Sequence, residues 1–355
     1  IYVYGVQNYY FFPYSLPKAC AIALFLVSLQ EKKTQMNPNK TVSVVMCTFN
    51  GERYVREQLD SIVAQTYPIH ELIIEDDGST DRTVEICREY ASRYPFIRVV
   101  VNERNLGLDA NFEAATMRST GDFVALSDQD DVWYPEKISR QVAAIGDNDI
   151  CFSCYDRGAD RQHSTLVCQQ YRLEALLFAG FAGHTMLLRG DFARTHEHWA
   201  LASQVPFMHY DWSLAVFAQL KRGIIRIDEA LNLHRRNPQS AIAKELETGP
   251  RVPAYMPYTQ GLREYRRMQS RPEWQRFYSL VFNRTSDTFQ PLAHRMSGLM
   301  LRPDGRALLR LCGLCCRHRA TIYWNGGTHG VMGKVRGFCY PLIFAYNNKK
   351  FYQDQ

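Results

Sequence analysis

From Thr41 onward, apolar and polar positions alternate between two rhythms. Thr41–Met46 (TVSVVM) is a β-branched run, the pattern of a strand covered on both faces. Val55, Leu59, Ile62 and Val63 recur at helical spacing, which predicts a helix over Tyr54–Gln65 that Pro68 prevents from continuing. Glu71–Glu75 (ELIIE) predicts a second strand, Ile97–Val101 a third and Asp122–Leu126 a fourth, with a helix over Leu108–Ser119. Asp76–Asp81 (DDGSTD) reads as a turn entering another helix. Ser79 or Thr80 is its expected cap, and Asp81 suits the dipole of the first turn. Strands alternating with helices predict an α/β fold with a parallel sheet covered on both faces. Ligands of such sheets lie in the loops beyond the carboxyl ends of the strands.

The polar clusters fall at those ends: Thr48–Gly51, Asp76–Gly78, Asn102–Gly107 and Ser127–Asp131. The chain has neither GxGxxG nor GxxxxGK[ST], which argues against a dinucleotide oxidoreductase or a P-loop enzyme. Asp128, Asp130 and Asp131 would repel one another after a hydrophobic strand. A hard cation relieves that repulsion, and Mg²⁺ or Mn²⁺ typically takes one or two carboxylates plus substrate phosphates. A solvated acidic turn is the plainer alternative. Asp76 and Asp77 form a second pair, which could accept from a ring N–H of a nucleobase or serve only in capping.

Four strings carry a resemblance: VSVVMCTFNGERYVREQLDSIVAQTY, ELIIEDDGSTDRTVEI, NERNLGLDANFEAA and GDFVALSDQDDVWYPEKI. In this order and spacing, Val42–Lys137 resembles family-2 glycosyltransferases of the GT-A fold, and among them bacterial rhamnosyltransferase-like enzymes of surface-polysaccharide assembly. The resemblance implies an inverting, metal-dependent transfer of a rhamnose-, glucose- or galactose-class sugar. The donor would be a UDP- or dTDP-sugar, the acceptor a growing glycan or a lipid-linked one, and the cofactor Mn²⁺ or Mg²⁺. By the same resemblance, Asp130 would bind the metal and Asp128 the metal or donor ribose and sugar, with Asp131 in support. Asp77 would read the base. Thr48, Asn50 and Glu52 would line the nucleotide pocket, and Asn105 is grouped with these donor-binding residues.

Further along, Gly183–Leu188 looks like the segment beneath the two sugars, although His184 stands where a small residue or Cys is more usual. His209–Trp212 looks like the segment carrying the catalytic base, here Asp211, which as a sequence feature could also be a helix cap. His234-Arg235-Arg236-Asn237 resembles a basic run that closes over the pyrophosphate, with Arg235 and Arg236 as planar phosphate forks and Asn237 where His is common. Two rivals remain. A nucleotidyltransferase would need more glycines than Thr48–Arg53 offers. A non-catalytic nucleotide-sugar- or glycan-binding protein on a degenerate GT-A fold is the other.

Charge adds a division that the hydropathy pattern does not. From Arg251 to Gln355 there are seventeen Lys and Arg against five Asp and Glu, while the preceding residues are net acidic. Helical patterns over Ala254–Phe289 and Pro291–Arg319 mix apolar residues with arginines, as in basic amphipathic helices at anionic membrane surfaces. No nucleic-acid module is recognisable. The expected organisation is an N-terminal extension over 1–40, a GT-A domain over 41–245 and a helical basic region over 246–355. The expected location is cytoplasmic, peripheral to the inner face of the cell membrane. Residues 1–35 read as an extension upstream of Met36, or as an interfacial anchor. Ten cysteines, with Cys151 and Cys154 expected on opposite strand faces and no second half for a zinc site around Cys312, Cys315 and Cys316, fit a reducing compartment better than a disulfide framework.

Overall fold

The β-branched run becomes β1 (Val42–Thr48), buried at every position. Its alternating side chains feed two cores: Val45 and Cys47 face one cluster, Val44 and Met46 the other. The structure is a computed structural model that describes residues 40–235, 255–323 and 329–351. The expectations for residues 1–39, and those for Arg236 and Asn237, lie outside these residues.

The predicted elements are present with small shifts. They are α1 (Val55–Val63), β2 (Glu71–Asp76), α2 (Thr83–Arg93), β3 (Ile97–Val101), α3 (Leu108–Met117) and β4 (Phe123–Ser127). There follow β5 (Val132–Trp133), α4 (Lys137–Ala144), β6 (Ile150–Gly158), β7 (Ser164–Val167), β8 (Met186–Arg189), α5 (Tyr210–Gln219) and β9 (Ile224–Arg235). The sheet runs β3-β2-β1-β4-β8-β6-β9-β5, with β7 beside β6. Its first four strands are mutually parallel. Beyond them β8 is antiparallel to both β4 and β6, β9 is parallel to β6, and β5 is antiparallel to β9.

These directions decide what reaches the functional rim. Strands β1, β2 and β4 end there. Because β8 runs the opposite way to β4, the residues just before β8 (Gly183–Thr185) arrive at the same rim. Strand β9 runs with β6 and so delivers its last residues there too, where Val132 and Trp133 pair with Leu233 and Asn232.

One face of the sheet is covered by α1, α2 and α4. The other packs against α3, α5 and the C-terminal helices α6 (Met256–Gln269), α7 (Pro272–Asn283), α8 (Pro291–Met300) and α9 (Gly305–Arg317). The helical pattern read over Ala254–Phe289 is thus two helices, broken where Pro272 opens α7. Helices α10 (Gly330–Phe338) and α11 (Tyr340–Asn347) complete the region. None of the described helices is long and apolar enough to cross a membrane.

The cysteine expectation needs correction, because Cys154 and Cys168 form a disulfide. Cys151 and Cys154 do behave as a strand predicts: Cys151 is free and Cys154 is bonded elsewhere. The partner comes from register. Tyr155 pairs with Val167 across β6 and β7, which sets Cys154 opposite Cys168, and no spacing in the sequence displays that pairing. Cys312 and Cys315 are buried in the helical core.

The C-terminal helices share the sheet's core through aromatic contacts. Trp274 stacks on Phe207 at 3.7 Å between ring centroids, and the Tyr278 hydroxyl donates to the Leu177 carbonyl at 3.1 Å. Replacing a buried Trp by Ala typically costs about 3–5 kcal/mol. We expect Trp274→Ala to lower unfolding stability by about that amount in a denaturant titration, in one transition reported alike by sheet and helix signals.

Candidate active site

At the rim, the loops after β1 and β2 are cross-linked before any ligand enters. Asn50, in the left-handed region at φ 47°, accepts from the Thr80 amide at 2.9 Å, and its own amide donates to the Ser79 hydroxyl at 2.8 Å. The Glu52 carboxylate accepts from the Arg82 amide at 3.0 Å. Thr48 donates its hydroxyl to Asp76 at 2.7 Å, and Asp76 also accepts from the Ser79 amide at 2.8 Å. Ser79 is therefore spent on the turn. Asp81, not Ser79 or Thr80, accepts from the Thr83 amide at the entrance to α2.

Asp77 is buried, and its carboxylate is committed within the chain. It accepts from the Asn102 side chain at 2.9 Å and from the Leu106 and Gly107 amides at 2.7 and 2.9 Å. Asn105 adds a bond from its side-chain amide to the Asp77 carbonyl at 3.0 Å. Asp77 thus holds the loop after β3 rather than facing outward from the rim. Gln129, between Asp128 and Asp130 in the loop after β4, clamps Phe49 on both sides. It accepts from the Phe49 amide and donates to the Phe49 carbonyl, each at 3.0 Å.

Asp131 is the centre of the acidic loop. It is buried, and its two oxygens lie 2.9 Å from His184 Nδ1 and 3.0 Å from His234 Nδ1. The two imidazoles stack with planes 8° apart, and Asn232 donates to Asp131 at 3.0 Å. Burial alone would raise the Asp131 pKa, but the charges and hydrogen bonds of His184 and His234 hold it well below the usual carboxylate range. Burial lowers the pKa of His184, with Asp131 only partly opposing. For His234, burial is overcome by the Asp131 hydrogen bond and the charges of Asp131, Asp128 and Asp130, so its pKa rises.

Asp128 and Asp130 are partly buried beside this centre. Burial and the charges of Asp131 and Asp130 push the Asp128 pKa well up, with Asp211 adding to the effect and His234 opposing it. A divalent cation would relieve this repulsion between neighbouring carboxylates. Asp131, His184 and His234 also bring three ligand atoms within 4.8 Å of one another, so the donor set at the rim fits a metal ion.

Asp211 reaches the rim from the second position of α5. Asp109, in the first turn of α3, fixes that helix end by accepting from the Tyr210 amide at 2.8 Å and lying 3.1 Å from His209 Nδ1. The Asp211 carboxylate accepts from the Trp212 amide at 2.7 Å and from the Gly183 amide at 3.3 Å, beside His184. Only glycine fits at 183, because a Cβ would lie 2.3 Å from the Tyr210 hydroxyl. Burial raises the Asp211 pKa to about 6, against the lowering effects of His209 and the Trp212 amide. At the end of β9, Arg235 pairs with Glu57 at 2.6 Å and lies over the Tyr54 ring, while its Nε is buried without a partner.

The structure thus gathers Thr48, Asn50, Glu52, Asp77, Asn105, Asp128, Asp130, His184, Asp211 and Arg235 at the loops of one rim. Sequence reasoning passed over Asn232, Gln58 and Lys137. Buried Gln58 joins α1 to the acidic loop, its amide nitrogen 2.6 Å from the Asp131 carbonyl and its oxygen 2.7 Å from the Ser127 hydroxyl. Lys137 is buried 5.0 Å from the Trp133 ring centroid with its ammonium unpartnered, and burial lowers its pKa to about 7 although Asp131 opposes this. A lysine opening a helix gives no sign of such burial. Removing the Asp77 carboxylate should free the loop it holds. In Asp77→Ala, we expect amide hydrogen exchange within residues 102–107 to accelerate by at least about tenfold, with exchange in β1 unchanged.

Residues 43–195 match the model of glycosyl transferase family 2. The Mycobacterium tuberculosis (strain ATCC 25618 / H37Rv) protein Rv1520 is 32% identical over 209 residues, covering 55% of this chain and 59% of that protein. The dTDP-rhamnosyl transferase RfbG of Shigella flexneri is 36% identical over 114 residues, covering 30% of this chain and 39% of its own length. The chain thus spans under two thirds of these relatives. The crystal structure of S. aureus TarS 1–349 in complex with UDP-GlcNAc aligns with a TM-score of 0.48 at 17% identity, covering 87% of this chain and 91% of that one, too loose a likeness to support an argument about ligands. The mixed sheet with its helical C-terminal region is the GT-A fold expected from the sequence, and residues 43–195 are similar to glycosyl transferase family 2.

Proposed function

We propose that this chain is an inverting, metal-dependent glycosyltransferase. The observation that carries the reading is Asp211, a half-buried carboxylate with its pKa raised to about 6, held beside the His184 segment and adding to the upward push on Asp128. A base at that position takes the proton from the acceptor hydroxyl as its oxygen bonds to the anomeric carbon. The bond from that carbon to the nucleoside diphosphate breaks on the opposite face, which inverts the configuration.

The donor is a UDP- or dTDP-sugar of the rhamnose, glucose or galactose class. The dTDP-rhamnosyl transferase among the relatives supports that choice. Thr48, Asn50 and Glu52 frame the nucleotide pocket, and Asp77 and Asn105 shape it through the loop after β3. Asp128 and Asp130 hold Mn²⁺ or Mg²⁺, which when bound neutralises charge developing on the diphosphate. Arg235 and Arg236 donate to that diphosphate through their planar guanidinium forks. His184 lies beneath the donor sugar, with Asp131 fixing its ring. The acceptor is a growing surface glycan or a lipid-linked one, met at the cytoplasmic face of the membrane, where the basic C-terminal helices contact anionic lipid.

The direct test is nucleoside-diphosphate release from a panel of UDP-, dTDP- and GDP-sugars with Mn²⁺, with Mg²⁺ and with EDTA. Metal-dependent release from one donor is expected. If neither release nor metal-supported donor binding occurs, the non-catalytic binding protein becomes the better reading.

Asp211→Asn should bind donor normally and lose about 10²–10⁴-fold in transfer rate. In the unmodified protein the base works only when ionised. The transfer rate should therefore fall as pH drops below about 6 and level off above it, and this limb should vanish in the variant. Asp130→Ala should weaken donor affinity in the presence of Mn²⁺ by at least about tenfold, measured calorimetrically, and leave metal-free affinity unchanged.

A further inference from the structure

A cleft of about 640 Å³ opens among α7, α8 and α9, on residues separate from the strand-end rim. Arg295 and Arg302 line it from α8 and the turn after it, and Arg310 and Arg317, two helical turns apart, line it from α9. Asp287 is the single carboxylate in the lining. Among the described residues, none of the four guanidinium groups has a hydrogen bond or ion pair. Arginines close by are paired: Arg263 and Arg267 with Glu264, and Arg284 with Glu197. Four unpaired guanidiniums around one concavity repel one another, and an anion with several charged oxygens turns that repulsion into attraction.

The rest of the cleft suits a group with an apolar side. Phe282, Leu299 and Leu314 line it between the arginines. Gly313 leaves open space, since a Cβ there would meet nothing within 4 Å.

We propose that this cleft is a diphosphate-binding site, distinct from the rim, that takes a diphosphate group either free or as the headgroup of a lipid. The guanidinium forks of Arg295, Arg302, Arg310 and Arg317 grip the phosphate oxygens. The apolar lining of Phe282, Leu299 and Leu314 accommodates the start of a hydrocarbon tail. The assignment stands whether or not the rim transfers sugar.

Calorimetry on the full chain in EDTA tests it, with inorganic pyrophosphate and farnesyl diphosphate as probes. Both should bind. Affinity for both should fall at least tenfold in Arg310→Gln/Arg317→Gln and in Gly313→Glu, which places a carboxylate in open space without touching the core. Metal-supported nucleotide-sugar binding at the rim should be the same in all three proteins. Farnesyl diphosphate binding tighter than pyrophosphate identifies a lipid source, and equal affinities identify free diphosphate. The proposal is overturned if neither probe binds or if binding survives both variants. It is equally overturned if the chain floats with phosphatidylglycerol vesicles but binds neither soluble probe, because the arginines would then be a diffuse surface charge.

Discussion

The rim depends on one buried carboxylate shared between two imidazoles. Asp131 follows β4, His184 precedes β8 and His234 ends β9, so three strands meet in a single ionic contact that burial forces to be satisfied. Breaking a buried pair of this kind typically costs about 3–5 kcal/mol, because an uncompensated charge remains inside. The contact also sets the electrostatics around it. It raises the pKa of His234, whose charge in turn opposes the upward push that burial and the neighbouring carboxylates exert on Asp128.

A second chain of contacts carries position rather than charge. Asp77 holds the loop after β3, that loop leads into Asp109, and Asp109 fixes the start of α5, on which Asp211 sits. Residues that a motif would assign to ligand contact are here partly scaffolding. Thr48 and Asp77 spend their polar atoms on neighbouring loops, and Gln129 spends its whole amide on the backbone of Phe49. The loops of the rim are thereby cross-linked without any ligand, which reduces the ordering that binding one would otherwise require.

Much of this was legible in the sequence for a physical reason. Strand–helix alternation from β1 to β4 is local, and the rule that ligands meet the carboxyl ends of parallel strands needs only that local pattern. What was not legible depended on strand direction and register. His184 and His234 converge on Asp131 only because β8 reverses and β9 does not, and Cys154 meets Cys168 only because β7 pairs with β6 in one register. The burial of Lys137 and the cross-linking role of Gln58 likewise arise from tertiary packing, and neither residue type announces it. The break at Pro272 was within reach, since proline favours a helix start.

The stacking of Trp274 on Phe207 has a consequence for what can be inherited or moved as a unit. The family match ends at residue 195, yet the apolar cluster beneath the sheet draws on side chains as far as Ala345. A chain severed after the last strand would carry every rim residue discussed here except Arg236, and would leave Phe207 and Trp212 facing water where aromatic partners now lie. The recombinable module is therefore larger than the segment its relatives share. Exchange of the rim between such proteins, in the laboratory or in evolution, has to bring the helices with it.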